Sequence, residues 1–108
     1  MEPETILQNK IISELNRRGH YARNHTVGQF YTKYGQIVHV GTHGESDIDG
    51  HRSDGMAFYL EIRVPGKRPR PDQLQFLEAM RRTGAIAGWC TSVEEAIKIV
   101  ESNYEQIP

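Results

Sequence analysis

The chain has 108 residues, 37% hydrophobic and 25% charged, enough for one compact domain (1–108) with a modest core. That balance excludes bulk disorder, and no apolar run approaches the roughly 20 residues a membrane span needs. A net charge of −1 does not advertise nucleic-acid binding, and the lone Cys90 excludes an intramolecular disulfide or a cysteine zinc cluster.

The acidic start Met-Glu-Pro-Glu-Thr lacks an apolar signal core, so the expectation is a cytoplasmic protein with no membrane contact. A first helix is predicted over residues 3–18. Pro3 suits its first turn, Gly19 suits the position after its end, and Leu7, Ile11, Ile12 and Leu15 form its apolar stripe. At ~100° per residue, Glu4 points within about 20° of Ile11 and Leu15, so a carboxylate faces inward near the helix start. Gln8 lies close to the same line, and Glu14, on the flank, is a second candidate.

Residues 20–40 read as one or two strands, 20–24 and about 30–40, with Tyr34-Gly35 a turn or irregularity in the second. The glycine-rich segment 41–44 leads into a short strand around 48–52. Ser53-Asp54-Gly55 is a hairpin turn. Residues 56–64 form the clearest strand, with Tyr59, Glu61 and Arg63 on one face and Phe58, Leu60, Ile62 and Val64 on the other. The loop 65–71 is rich in proline and basic residues. A second helix is predicted from Pro71 to Thr83, with Gln73, Phe76, Leu77 and Met80 inward. A buried strand follows over 85–90, and Ser92-Val-Glu-Glu95 has the spacing of a capping box opening a third helix over 93–104.

The resulting order is α-β-β-β-α-β-α, an α/β fold. Three strands form an antiparallel meander, and a βαβ crossover completes a mixed central sheet flanked by helices.

A glutamate inside an apolar strand is costly to bury without a partner. The hairpin after Gly44-Glu-Ser-Asp47 brings Asp47 toward Glu61, and a divalent cation shared by the two carboxylates meets that cost. The Ile62 carbonyl and Glu4 are further oxygen donors of the kind Mg²⁺ takes. Such a metal, with Arg63 on the Glu61 face, answers the needs of phosphodiester hydrolysis: a nucleophilic water, charge neutralisation and a leaving oxyanion. Gln73 is placed to hold a water or a substrate phosphate. Each residue also has an ordinary reading. Asp47 can shape a turn, Glu4 can favour a helix N-terminus, Gln73 can be a polar helix-start residue, and Glu61 and Arg63 can pair on the strand face.

In order and spacing these motifs resemble a VRR-NUC domain of the PD-(D/E)xK nuclease superfamily. The resemblance runs from Glu4 through Gly44-Glu-Ser-Asp47, Tyr59-Leu-Glu61-Ile-Arg63 and Gln73-Leu-Gln-Phe76-Leu to Ser92-Val-Glu-Glu-Ala96. It implies a restriction-endonuclease-like fold and Mg²⁺- or Mn²⁺-dependent cleavage of DNA. Asp47 and Glu61 would be metal ligands, Glu4 a supporting acid and Gln73 the motif glutamine. Stand-alone members, often phage-borne, resemble Holliday junction resolvases and tend to be homodimers. The implied setting is thus a bacterial or phage-infected cell, and the implied partner branched DNA.

One departure stands out: position 63 is Arg where the family has Lys. Arginine keeps the charge and contacts phosphate, but it is a poor general base. The competing reading is a catalytically weakened DNA-binding or partner-docking domain on the same fold. Lys67, Arg68 and Arg70 directly follow the central strand and are the DNA-contact candidates, with His43 a further candidate near substrate. His39 and His51 match no zinc-ligand spacing, and Cys90 is read as core.

Overall fold

The computed structural model describes residues 2–25, 28–31, 37–40 and 46–104. The Tyr34-Gly35 turn, the glycine-rich 41–44 segment and His43 lie outside the described residues. The elements in chain order are α1 (Pro3–Arg17), β1 (Tyr21–Asn24), β2 (Gly28–Tyr31), β3 (Ile37–Val40), β4 (Ile48–His51), β5 (Ala57–Ile62), α2 (Pro71–Arg82), β6 (Ile86–Cys90) and α3 (Val93–Val100).

The main sheet has the order β1-β4-β5-β6. β1 and β5 flank β4 antiparallel, and β6 joins β5 parallel through α2. The expected mixed sheet is therefore present, and β1, β4 and β5 supply its antiparallel part. Residues 30–40, expected as a strand of the meander with a turn or irregularity at Tyr34-Gly35, differ in where their strands pair. β2 and β3 pair with each other, Gly28 opposite Val40 and Tyr31 opposite Ile37, as a separate two-stranded sheet. A hairpin satisfies its own ladder, so this segment can leave the main sheet without orphaning backbone groups.

Alternation along β5 sorts the molecule into two layers. Phe58, Leu60 and Ile62 point into the larger core with Ile11 and Leu15 of α1, Ile48 of β4, Cys90 of β6, and Ala96 and Val100 of α3. Tyr59 and Glu61 point the other way, toward α2. There the Tyr59 ring meets Phe76 edge to face at 5.7 Å, and Leu77 is buried. Gly50 belongs to the tightest crossing in the sheet. A Cβ there would lie 1.8 Å from the Tyr21 carbonyl oxygen, so no other residue fits.

The helix ends follow their local chemistry. α1 starts on Pro3 and stops at Gly19, whose φ of 95° is cheap for glycine alone. Asn16, in the last turn of α1, accepts from the Ala22 N–H (3.1 Å) and donates to the Ala22 carbonyl (3.0 Å). Its amide thus acts as a short extra strand segment on the free edge of β1. Ser92 caps α3 by accepting from the Glu95 N–H, and the Glu95 carboxylate accepts from the Thr91 N–H. α3 ends at Val100, four residues short of the expected Tyr104. The buried Arg52 guanidinium, from the β4–β5 turn, donates to the Val100 and Ser102 carbonyls at 3.1 and 2.9 Å. It takes over carbonyls that a longer helix would have used.

Candidate functional site

Asp47 sits in the bend before β4, held from three directions. Its carbonyl accepts from the His25 N–H (2.8 Å) and from Gln8 Nε2 (3.2 Å), which ties β1 and α1 to this point. Its Oδ2 accepts from the Ile62 N–H at the end of β5 (2.8 Å). The carboxylate is thereby swung onto the sheet face that carries Glu61.

Glu61 is 1% exposed. Its Oε1 accepts from Gln73 Nε2 at 2.7 Å, while Gln73 Oε1 accepts from the Arg70 N–H at 2.8 Å. The second bond settles which end of the amide faces Glu61, because the oxygen is already committed to the start of α2. Glu61 Oε2 is buried and has no hydrogen-bond partner. Burial and the neighbouring Asp47 hold the Glu61 carboxyl well above the ordinary carboxylate range, against smaller opposing pulls from Arg63 and Arg70. Protonated, Glu61 can share its hydrogen with Asp47. Ionised, its Oε2 faces a second carboxylate with no donor between them.

That arrangement asks for a small, hard cation. Two carboxylates converge on one face, one oxygen lacks a partner, and waters or a strand carbonyl can fill the remaining positions. The residues present fit Mg²⁺ or Mn²⁺. Among the described residues no three His, Cys, Asp or Glu side chains converge as a metal cluster. Glu4 is thus not drawn up against Asp47 and Glu61 in this arrangement. Instead its Oε1 lies 3.6 Å from Arg63 Nη1. Helix phase brings Glu4 inward as expected, but the long guanidinium reaches its carboxylate first. Arg63 Nε and Glu4 Oε1 are both buried without a hydrogen-bond partner, which leaves one open donor and one open acceptor beside the carboxylate pair. Ile62 contributes its N–H to Asp47, a role not apparent from sequence.

The basic loop forms the rim. Lys67 lines a cleft of about 410 Å³ with Glu2, Pro3, Glu4 and Val64. Arg68 is exposed, and Arg70 pairs with Asp72 at 3.2 Å while its charge reaches Glu61. His51 is exposed, and Cys90 is buried with its thiol pushed up to about 12 by burial. Sequence reasoning missed the clamp on the Asp47 carbonyl, although Gln8 stood on the Glu4 line. It also missed the pairing of Asp49 with Arg23 (2.7 Å) and His25 (3.0 Å), which the alternation 47-49-51 would have placed on the same face.

No family model matches the sequence, and no curated protein matches it. A solved structure described as a "VRR_NUC domain" superposes with a TM-score of 0.68 at 20% identity, over 94% of this chain and 97% of that one. The chain has the fold of that domain, a small α/β architecture consistent with the restriction-endonuclease-like class. No described helix is long and apolar enough to cross a membrane.

Proposed function

We propose that this chain is a VRR-NUC nuclease, an Mg²⁺- or Mn²⁺-dependent endonuclease that hydrolyses phosphodiester bonds in DNA. The observation that carries the reading is the partnerless, buried Glu61 Oε2 beside Asp47. A fold meant only for stability has no reason to keep it. Asp47, Glu61 and the Ile62 carbonyl would hold the metal, which supplies Lewis-acid polarisation of the phosphate and an activated water. Gln73 fixes Oε1 and so aims Oε2. The Ile62 N–H orients Asp47. Arg63 Nε, free of an acceptor, is a donor for a phosphate oxygen and offsets charge as the bond breaks. Glu4 is a positioning residue for Arg63, Lys67, Arg68 and Arg70 lie along the proposed DNA path, and His43 is a further DNA-contact candidate. Branched DNA, gripped by a homodimer in a bacterial or phage-infected cell, is the substrate this reading favours.

The test is cleavage of a four-way junction, a flap and a linear duplex in Mg²⁺ and Mn²⁺. Cutting by the wild type that vanishes in Asp47→Ala supports the proposal. Junction binding with no cutting in either metal refutes it and favours the second reading, a DNA-binding domain with weakened chemistry. The observation behind that second reading is Arg63 itself, a side chain that cannot serve as a base and is engaged by Glu4.

A further inference from the structure

A groove leads away from the carboxylate pair along the same sheet face. The register places Arg23 opposite Asp49 and Asp49 opposite Tyr59 in one row, and Tyr21, His51 and Ala57 in the next. Side chains alternate along a strand, so these positions share the face of Asp47 and Glu61. Each row is a further two residues on, roughly 7 Å. α2 packs over the β5–β6 half of this face. Over the β1–β4 half lies a groove of about 290 Å³ lined by these six side chains.

The lining is aromatic and polar, without excess charge. Asp49 accepts from Arg23 Nε at 2.7 Å and lies 3.0 Å from His25 Nδ1, so the one carboxylate of the lining offsets the charge of its one guanidinium. A phosphate meets little net positive charge there. A nucleobase gains a ring face to stack on and polar groups at its edge. Tyr21 is 60% exposed at the groove mouth, and Tyr59 is held rigidly by Phe76.

We propose that this groove is a nucleobase subsite, with Tyr21 as the stacking platform for an unpaired base two rows, about 14 Å, along the face from the carboxylate pair. The inference rests on the nuclease reading above and narrows its substrate to DNA with a single-stranded segment that begins within a few nucleotides of the cut. A base inside a duplex cannot offer its face to a side chain without leaving the stack. Stacking on an aromatic ring is tolerant of base identity, so the groove selects for structure rather than sequence.

The experiment compares a flapped duplex with a fully paired duplex of the same sequence. Binding is followed by fluorescence anisotropy in Ca²⁺ for wild type, Tyr21→Ala and Tyr21→Phe, with thermal melts to confirm that each variant folds. Loss of one stacked base is expected to weaken flap binding by Tyr21→Ala about tenfold. Paired-duplex binding should stay within about twofold, and Tyr21→Phe should bind like wild type because the ring is kept. Unchanged flap binding by Tyr21→Ala, or equal weakening on both substrates, overturns the subsite. Metal-dependent cleavage by the wild type is read in parallel. Tyr21-dependent flap binding without any cleavage in Mg²⁺ or Mn²⁺ overturns the nuclease reading and leaves the base subsite standing.

Discussion

Glu101 has two hydrogen-bond donors as partners, Arg18 and His20, whereas Glu61 faces another carboxylate. At the end of α3, Glu101 accepts from Arg18 through both carboxylate oxygens and lies 2.8 Å from His20 Nε2. His20 Nδ1 accepts from the Ser53 N–H, which leaves the hydrogen on Nε2 to point at Glu101. Tyr104 packs edge-on against His20, under the Arg52 guanidinium, and its hydroxyl bonds Ser53. Arg18 and His20 together hold the Glu101 carboxyl down at about 2. Glu61 has one amide donor, a neighbouring Asp47 and an oxygen with no partner, and its carboxyl is pushed up. The same side chain is thus finished at one end of the molecule and unfinished at the other. A satisfied carboxylate staples elements together. An unsatisfied one marks where the protein expects something from outside.

The sharpest way to break this comparison acts on the unfinished end. Asp47→Ala is expected to reduce metal-dependent cleavage to background and to abolish Mn²⁺ binding in titration calorimetry. Full Mn²⁺ affinity in that variant would place the metal elsewhere. Next in size, Gln73→Leu removes the donor that aims Glu61, and the expected loss of metal affinity is about 10–100-fold. An unchanged affinity would make Gln73 a helix cap and nothing more.

At the finished end, Glu101→Gln leaves Arg18 and His20 without their anion and should cost roughly 2–3 kcal/mol in urea unfolding. Cleavage by that variant, measured below its unfolding range, should match the wild type. The depressed Glu101 carboxyl contributes stability that is present above the unfolded value of about 4.3 and fades as pH falls toward 2. The raised Glu61 carboxyl works in the opposite sense. Its native state binds more protons than the unfolded chain, so its contribution is present below about pH 4.3 and is lost as pH climbs toward the elevated native value.

The smallest effect follows from that sign. In EDTA at pH 8, Glu61 still holds its proton in the native state and loses it on unfolding. Glu61→Gln, which never ionises, removes that loss and should raise the melting temperature by a few degrees, about 4–8 °C for each kcal/mol gained. Mn²⁺ should then stabilise the wild type but not the variant. A variant that melts lower than the wild type in EDTA would mean that the native Glu61 carboxyl is not held above the ordinary carboxylate range.

Much of the layered architecture was readable from residue order. Alternation in residues 56–64 sorted Phe58, Leu60 and Ile62 from Tyr59 and Glu61, because a strand has a strict period of two. Pro3, Gly19 and the Ser92–Glu95 pair marked helix ends through local chemistry that depends on few distant contacts. The separate β2–β3 sheet was not legible, since apolar strand residues pair equally well with a neighbouring hairpin arm or with the main sheet.

At the site, sequence alone brought Asp47, Glu61 and Gln73 into one neighbourhood. Period and spacing are enough to say which way a side chain faces. They do not say which of two nearby groups it will meet. Only the tertiary structure decided that Glu4 lies beside Arg63, that the Ile62 N–H orients Asp47, and that Asn16 closes the edge of β1. Those outcomes turn on a few ångströms between elements far apart in the chain, and packing sets those distances.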